Sequence, residues 1–333
     1  MKLSSLFNST SLLLASSIFM APLAVSAAPI KMAINTWIGY GPLFVAENLD
    51  TFKKYGVAVN LVNFPDTALM GPSLESGAVD GATLTYDQLI GDVAKGWKHI
   101  GVLALDYSNG ADAIVADSSI QSIKDFKDKK IAFNPLTPSD FLLSYALQQN
   151  NLTQKDIQPA NVTPEAVPAA LISGAAPIGV TFEPNVSQIL KTKSKRTFKV
   201  IFSSKDAPGL ITDVLVFKKD YISTHPKEVR SFIQAYLDGL DYMKKNPKEA
   251  NAIIGKAMGI PKKEVQEQLT GILNPSLKEM MNNFAKSDKI NSFYRSGPLI
   301  SDILMKKKQI TNAPKTEDTI DPQFITELLK TSK

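Results

Sequence analysis

Four carboxylates stand beside strand-like segments of this chain: Asp106 ending IGVLALD, Asp112 opening DAIVAD, Glu183 in VTFEP and Asp213 opening the run ITDVLVF. Taken singly, each suits a turn or a salt bridge. A fold with two lobes would gather all four near one cleft, and no Arg or Lys occupies the same loops. A desolvated carboxylate is compensated by an ammonium or guanidinium group and opposed by a plain anion, so the set favours a cationic or zwitterionic ligand. Trp37 and Tyr40 flank Gly39 just after the first strand-like run, IKMAIN. Ligands of open parallel sheets sit at that end of a strand. Trp37 there either walls a ligand by stacking or cation–π contact or folds onto the core, and the binding reading is preferred. Thr85 and Tyr86 end the third strand-like run, GATLT. In NPLTPSD (Asn134 to Asp140), Thr137 or Ser139 is a natural helix N-cap, and an exposed helix N-terminus also holds anions.

Catalytic chemistry is thinly represented. The chain has no cysteine, which removes thiolate nucleophiles, disulfides and Cys-ligated metal centres. Its two histidines, His99 and His225, lack metal-ligand spacing. No G-x-S-x-G elbow and no G-x-x-x-x-G-K loop occurs. Gly39-Tyr40-Gly41 begins like a dinucleotide fingerprint, but Phe44 stands where its third glycine belongs. The reading is a binding protein without cofactor or metal.

The 333 residues are 44% hydrophobic and 21% charged, as in ordinary globular proteins. The first 27 carry one charge, Lys2, then the apolar LLLASSIFMAPLAV and the small-residue site Val25-Ser26-Ala27. That is the pattern of a signal peptide cleaved near Ala27, and the expected location is the periplasm. Cleavage would leave 36 basic against 32 acidic residues, too mild a balance for nucleic acid.

The elements that must position these residues read strand, loop, helix, repeatedly. Pro42 opens PLFVAENLDTFKKYG, a helix that Gly56 ends, and VAVNLVNF alternates as a strand does. The rhythm restarts after Ser108-Asn109-Gly110 with DAIVAD, KKIAFN, the amphipathic PSDFLLSYALQQNN, and then PIGVTFEP and FKVIFSS. Such alternation predicts α/β units with mostly parallel sheets. From Val229 the apolar positions Phe232, Ile233, Tyr236, Leu237 and Leu240 keep helical spacing. Two α/β units and a helical end suit two lobes, with crossings near Ala113 and Asp213 as the hinge.

WIGYGPLFVAENLDTFKKYGV, the run Leu74–Ala82, DYSNGADAIVA and VTFEP together resemble periplasmic solute-binding proteins of ABC importers for nitrate, sulfonate and taurine, a group related to thiamine-precursor binders. The resemblance spans about residues 30–245. It implies a type II periplasmic binding fold: residues 28–112 and 213–333 as one lobe, 113–212 as the other, and a ligand cleft between. It further implies a small-molecule solute delivered to an inner-membrane permease with its ATPase, and a monomer. By the same analogy Ser108, Asn109 and Asp112 lie close to the solute, and Asp117 ends its strand at the surface. Thr85, Thr137 and Ser139 correspond to the hydroxyls that anion-binding relatives use. The acids favour an amine, guanidino compound or amino-sulfonate zwitterion. A sulfonate, nitrate or thiamine pyrimidine precursor is the alternative, and a sensor partner of a membrane receptor the rival of another class.

Overall fold

The computed structural model describes residues 28–331, so the signal-peptide reading of residues 1–27 lies outside the described residues. Eleven strands form two sheets among them. The first contains β1 (Ile30–Ile34), β2 (Val59–Asn63), β3 (Gly81–Thr85), β4 (His99–Ser108), β10 (Thr212–Lys218) and β11 (Ile272–Leu273), in the order β11-β4-β10-β3-β1-β2. The second contains β5 (Asp112–Asp117), β6 (Lys130–Phe133), β7 (Gln158–Asn161), β8 (Ile178–Phe182) and β9 (Phe198–Ser203), in the order β7-β6-β8-β5-β9.

The sheets are mixed, which corrects the expectation of mostly parallel ones. β10 runs antiparallel to both β3 and β4, and β5 antiparallel to both β8 and β9. The reason is connectivity. β5 and β10 are the strands that enter each sheet from the other, and each starts at the edge where its neighbours' carboxyl ends lie.

The two crossings fall just before those strands. β4 turns into β5 through Asn109, Gly110 and Ala111, with Gly110 at φ +119°, a region that excludes most side chains. β9 reaches β10 through a short 3-10 turn, Ser204–Asp206. Ser204 Oγ joins the crossings: it lies 2.7 Å from Ser108 Oγ and accepts from Gly110 N at 2.7 Å.

Helices cover both sheets. In Pro226–Lys245 the predicted stripe buries Val229, Phe232, Ile233, Tyr236 and Leu240, while Leu237 is half-buried. Each such side chain contributes roughly 1.5–3 kcal/mol by leaving water. The single helix expected over PLFVAENLDTFKKYG is two, Gly41–Asn48 and Thr51–Lys54. Asp50, at φ +53°, breaks it, a conformation that Asp tolerates better than most residues. No helix among the described residues is long and apolar enough to cross a membrane.

Candidate functional site

The carboxyl ends of β1, β3, β4 and β8 meet the amino ends of β5 and β10. Register fixes the neighbours: Asp213 pairs with Thr85 on one side and Asp106 on the other, and Asp112 pairs with Phe182. Between them lies a narrow cavity of ≈ 20 Å³. Its polar wall includes Asn35, Thr67, Thr85, Gln88, Asp112 and Asp213, and its apolar wall Trp37, Phe182 and Ile211. No Lys, Arg or His lines it.

Trp37 and Tyr40 belong to the turn after β1, where Ile38–Tyr40 forms a 3-10 helix. Trp37 Nε1 donates to both oxygens of Asp106 at 3.2 Å, and its ring meets Phe182 edge-on with centroids 5.5 Å apart. Trp37 is buried and also lines the cavity. Tyr40 OH donates to Asp213 Oδ1 at 2.6 Å.

The carboxylates resist ionisation. Burial pushes Asp106 up to about 8, offset by its bond from Trp37 and reinforced by the charge of Asp112. Burial likewise raises Asp112 to about 7, with Ser108 as a hydrogen-bonding neighbour that opposes the shift. Asp213 is held well above the ordinary carboxylate range, first by burial and then by Asp106. Like charges this close cannot all ionise without a counter-ion. A positive group arriving in the cavity would supply one.

Not every candidate faces that cavity. Asp106 is sealed behind Trp37. Glu183 turns towards its following helix, accepting from Ser187 N at 3.0 Å and Ser187 Oγ at 2.9 Å, so it is a helix-start acceptor. Tyr86 points into the core, its OH 3.0 Å from Thr319 Oγ1 and its ring against Phe293. Ser108 ties the crossings, and Asn109 N donates to Gly271 O at 2.8 Å. Asp117, half-buried, ends β5 and accepts from Ser119. Thr137 occupies the N-cap position of the helix Pro138–Gln149, yet its Oγ1 donates back to Asn134 O at 2.6 Å. Ser139 is buried at the start of the same helix and its Oγ has no hydrogen-bond partner.

Asn35, Thr67, Gln88 and Phe182 line the cavity without having been singled out. Gln88 was legible: with Thr85 it forms a capping box, Thr85 N donating to Gln88 Oε1 at 3.2 Å. Its Nε2 in turn donates to Thr67 O at 3.2 Å. Asn35 follows β1 directly, a polar residue after an apolar run. Thr67 and Phe182 carry no signal that separates them from structural residues.

Among known proteins, the family model described as NMT1/THI5 like matches residues 37–250. A taurine-binding periplasmic protein of Escherichia coli (strain K12) is 26% identical over 254 residues, covering 72% of this chain and 78% of that one. A putative thiamine biosynthesis protein of Haemophilus influenzae is 26% identical over 216 residues, 63% of this chain and 67% of its own. The crystal structure of the periplasmic aliphatic sulphonate binding protein SsuA from Escherichia coli superposes with a TM-score of 0.69 at 18% identity, over 90% of this chain and all of that one.

Proposed function

From the premise that this chain belongs to the NMT1/THI5-like family and has the fold of periplasmic binding proteins, we propose that it is the solute-binding component of an ABC importer. It captures a small solute bearing a positively charged nitrogen and presents it to a permease. One observation carries the choice of solute: Asp112 and Asp213 line the cavity and no basic side chain does. A cationic nitrogen supplies the counter-charge that lets those carboxylates ionise, whereas an anion supplies none. Thr85, Gln88 and Asn35 supply neutral hydrogen-bonding groups round it.

Capture works by closure. The two α/β units are joined by the crossings before β5 and β10 and touch elsewhere, as where Thr67 Oγ1 donates to Asn134 Oδ1 at 3.5 Å. Small rotations at Asn109–Ala111 and at 204–211 open and shut the cavity, and the bound solute adds contacts to both units in the closed form. Residues 28–112 with 213–333, and 113–212, are the proposed lobes.

An anionic solute, sulfonate or nitrate, is the second reading, and one observation favours it. Ser139 Oγ is buried without a partner at a helix start whose Pro138 lines the cavity. An amino-sulfonate would satisfy both ends, its ammonium on the carboxylates and its sulfonate near the helix start.

A thermal-shift screen of the chain from Ala28 separates these readings. Amines, guanidino compounds, taurine, alkylsulfonates, nitrate and aminopyrimidines are the panel. A solute at 100 times its Kd adds ~2.7 kcal/mol, a rise of a few degrees. Shifts confined to compounds with a positive nitrogen support the proposal; shifts from nitrate or alkylsulfonates alone refute it.

A further inference from the structure

A second cavity, of ≈ 120 Å³, adjoins the first. The two share Gln88, and they abut along Thr67–Ala68 and Thr137–Pro138. Much of the second wall is apolar, with Pro72, Leu136, Phe141, Leu304 and Ile310. Asp87, Gln88, Asp92, Lys95, Thr137 and Gln309 are its polar members, and of these Asp87 needs an account. It lines this cavity, it is 96% buried (4% exposed), and its Oδ1 has no hydrogen-bond partner.

The two acids nearest this chamber's wall, Asp92 and Asp140, have partners. Asp92 lies 3.2 Å from Lys95 Nζ and 3.1 Å from His99 Nδ1. Asp140 lies 2.5 Å from Lys307 Nζ and accepts from Gln309 Nε2 at 2.7 Å. Lys307 bears on Asp87 electrostatically, but its ammonium is engaged by Asp140. Asp87 is thus a buried carboxylate with an idle oxygen in the wall of a largely apolar chamber, and buried polar atoms left without partners are rare and costly. Its position in the first turn of the helix Tyr86–Ala94 eases a negative charge without supplying a partner for Oδ1.

We propose that the solute spans both cavities and that Asp87 receives a second donor group, a terminal ammonium or amidinium carried on an apolar body. The inference rests on the cationic reading of the first cavity and deepens it. The solute class becomes an elongated molecule with a positive nitrogen at each end. Asp112 and Asp213 hold one end, the apolar wall takes the methylene or ring body, and Asp87 holds the other. Gln88, common to both chambers, sits where the body passes.

Calorimetric titration with two matched series tests this: n-alkylamines and α,ω-diamines, each of two to six carbons, at pH 8. The diamine should overtake the monoamine of equal length by at least about tenfold once the chain reaches the second chamber, the worth of one added charged hydrogen bond. Asp87→Asn should bring that ratio to within about threefold of unity, well under the tenfold step. Asn is isosteric and removes an uncompensated buried charge, so the variant's melting midpoint, measured alongside, should not fall. Diamines and monoamines of equal affinity at every length would overturn the second subsite while leaving the first standing. A diamine advantage that survives Asp87→Asn would overturn the role of Asp87. Amines that fail to bind in either series, with alkylsulfonates binding, would overturn the cationic reading and this inference with it.

Discussion

Asp213 and Asp112 differ from the protein's surface acids in what surrounds them. Asp125 and Asp156 are exposed, and backbone amides hold their carboxyls below the ordinary range. Asp213 and Asp112 are buried, and burial raises them. Such a group is costly to ionise alone and valuable once paired, which is what a selective site for a cation requires. Asp213→Asn keeps an acceptor for Tyr40 OH and removes the charge. It should weaken a cationic solute at least ~100-fold in calorimetry, since unpairing a buried charge costs ~3–5 kcal/mol, and should not lower the melting midpoint without solute. At this scale the sequence was partly legible. Carboxylates at strand ends stood out because strand ends could be read. Their facing could not: Glu183 and Asp213 look alike in the chain, and only the backbone after β8 turns Glu183 onto Ser187.

Elements decide that facing. The turn after β1 packs so closely on β4 that a Cβ on Gly39 would lie 2.3 Å from both Asp106 Oδ2 and Trp37 Nε1. Gly39→Ala should displace the indole, costing ~1–3 kcal/mol of stability by overpacking and loosening the solute, read by denaturant melts and by calorimetry. The strand and helix rhythm was legible wherever apolar periodicity was strong, as in β4, β8 and the helix Pro226–Lys245. It failed where tertiary pairing overrides pattern. β7 is QPAN, with no alternation and an internal proline; it pairs along one side only, with β6, at the sheet edge. The reversal of β5 and β10 was invisible for the same reason, because strand direction is set by which sheet the chain has left.

On the scale of the molecule, the helix Pro138–Gln149 packs on the second sheet, and the helix Phe293–Lys306, capped by Lys307, packs on the helix Tyr86–Ala94 beside the first; Asp140 and Lys307 link the two. Gln154 Nε2, 2.5 Å from Oδ1, and Leu136 N, 3.0 Å from Oδ2, complete the shell of Asp140. Lys307→Met strands that charge and should cost ~3–5 kcal/mol in denaturant melts, while Asp140→Asn combined with Lys307→Met should recover most of the loss. The raised cleft acids also set a pH dependence. The folded state holds protons on Asp87, Asp106, Asp112 and Asp213 that the unfolded chain has released above about 4. Stability without solute should therefore fall as pH rises from about 4 to about 8, as thermal melts in a buffer series would record. Binding should run the other way for a cation. The most direct measurement is calorimetry with an amine and with an alkylsulfonate at pH 6, 7 and 8. Amine affinity that climbs with pH as the cleft acids ionise is the predicted result. Binding of the sulfonate alone, weakening over the same range, would contradict the account.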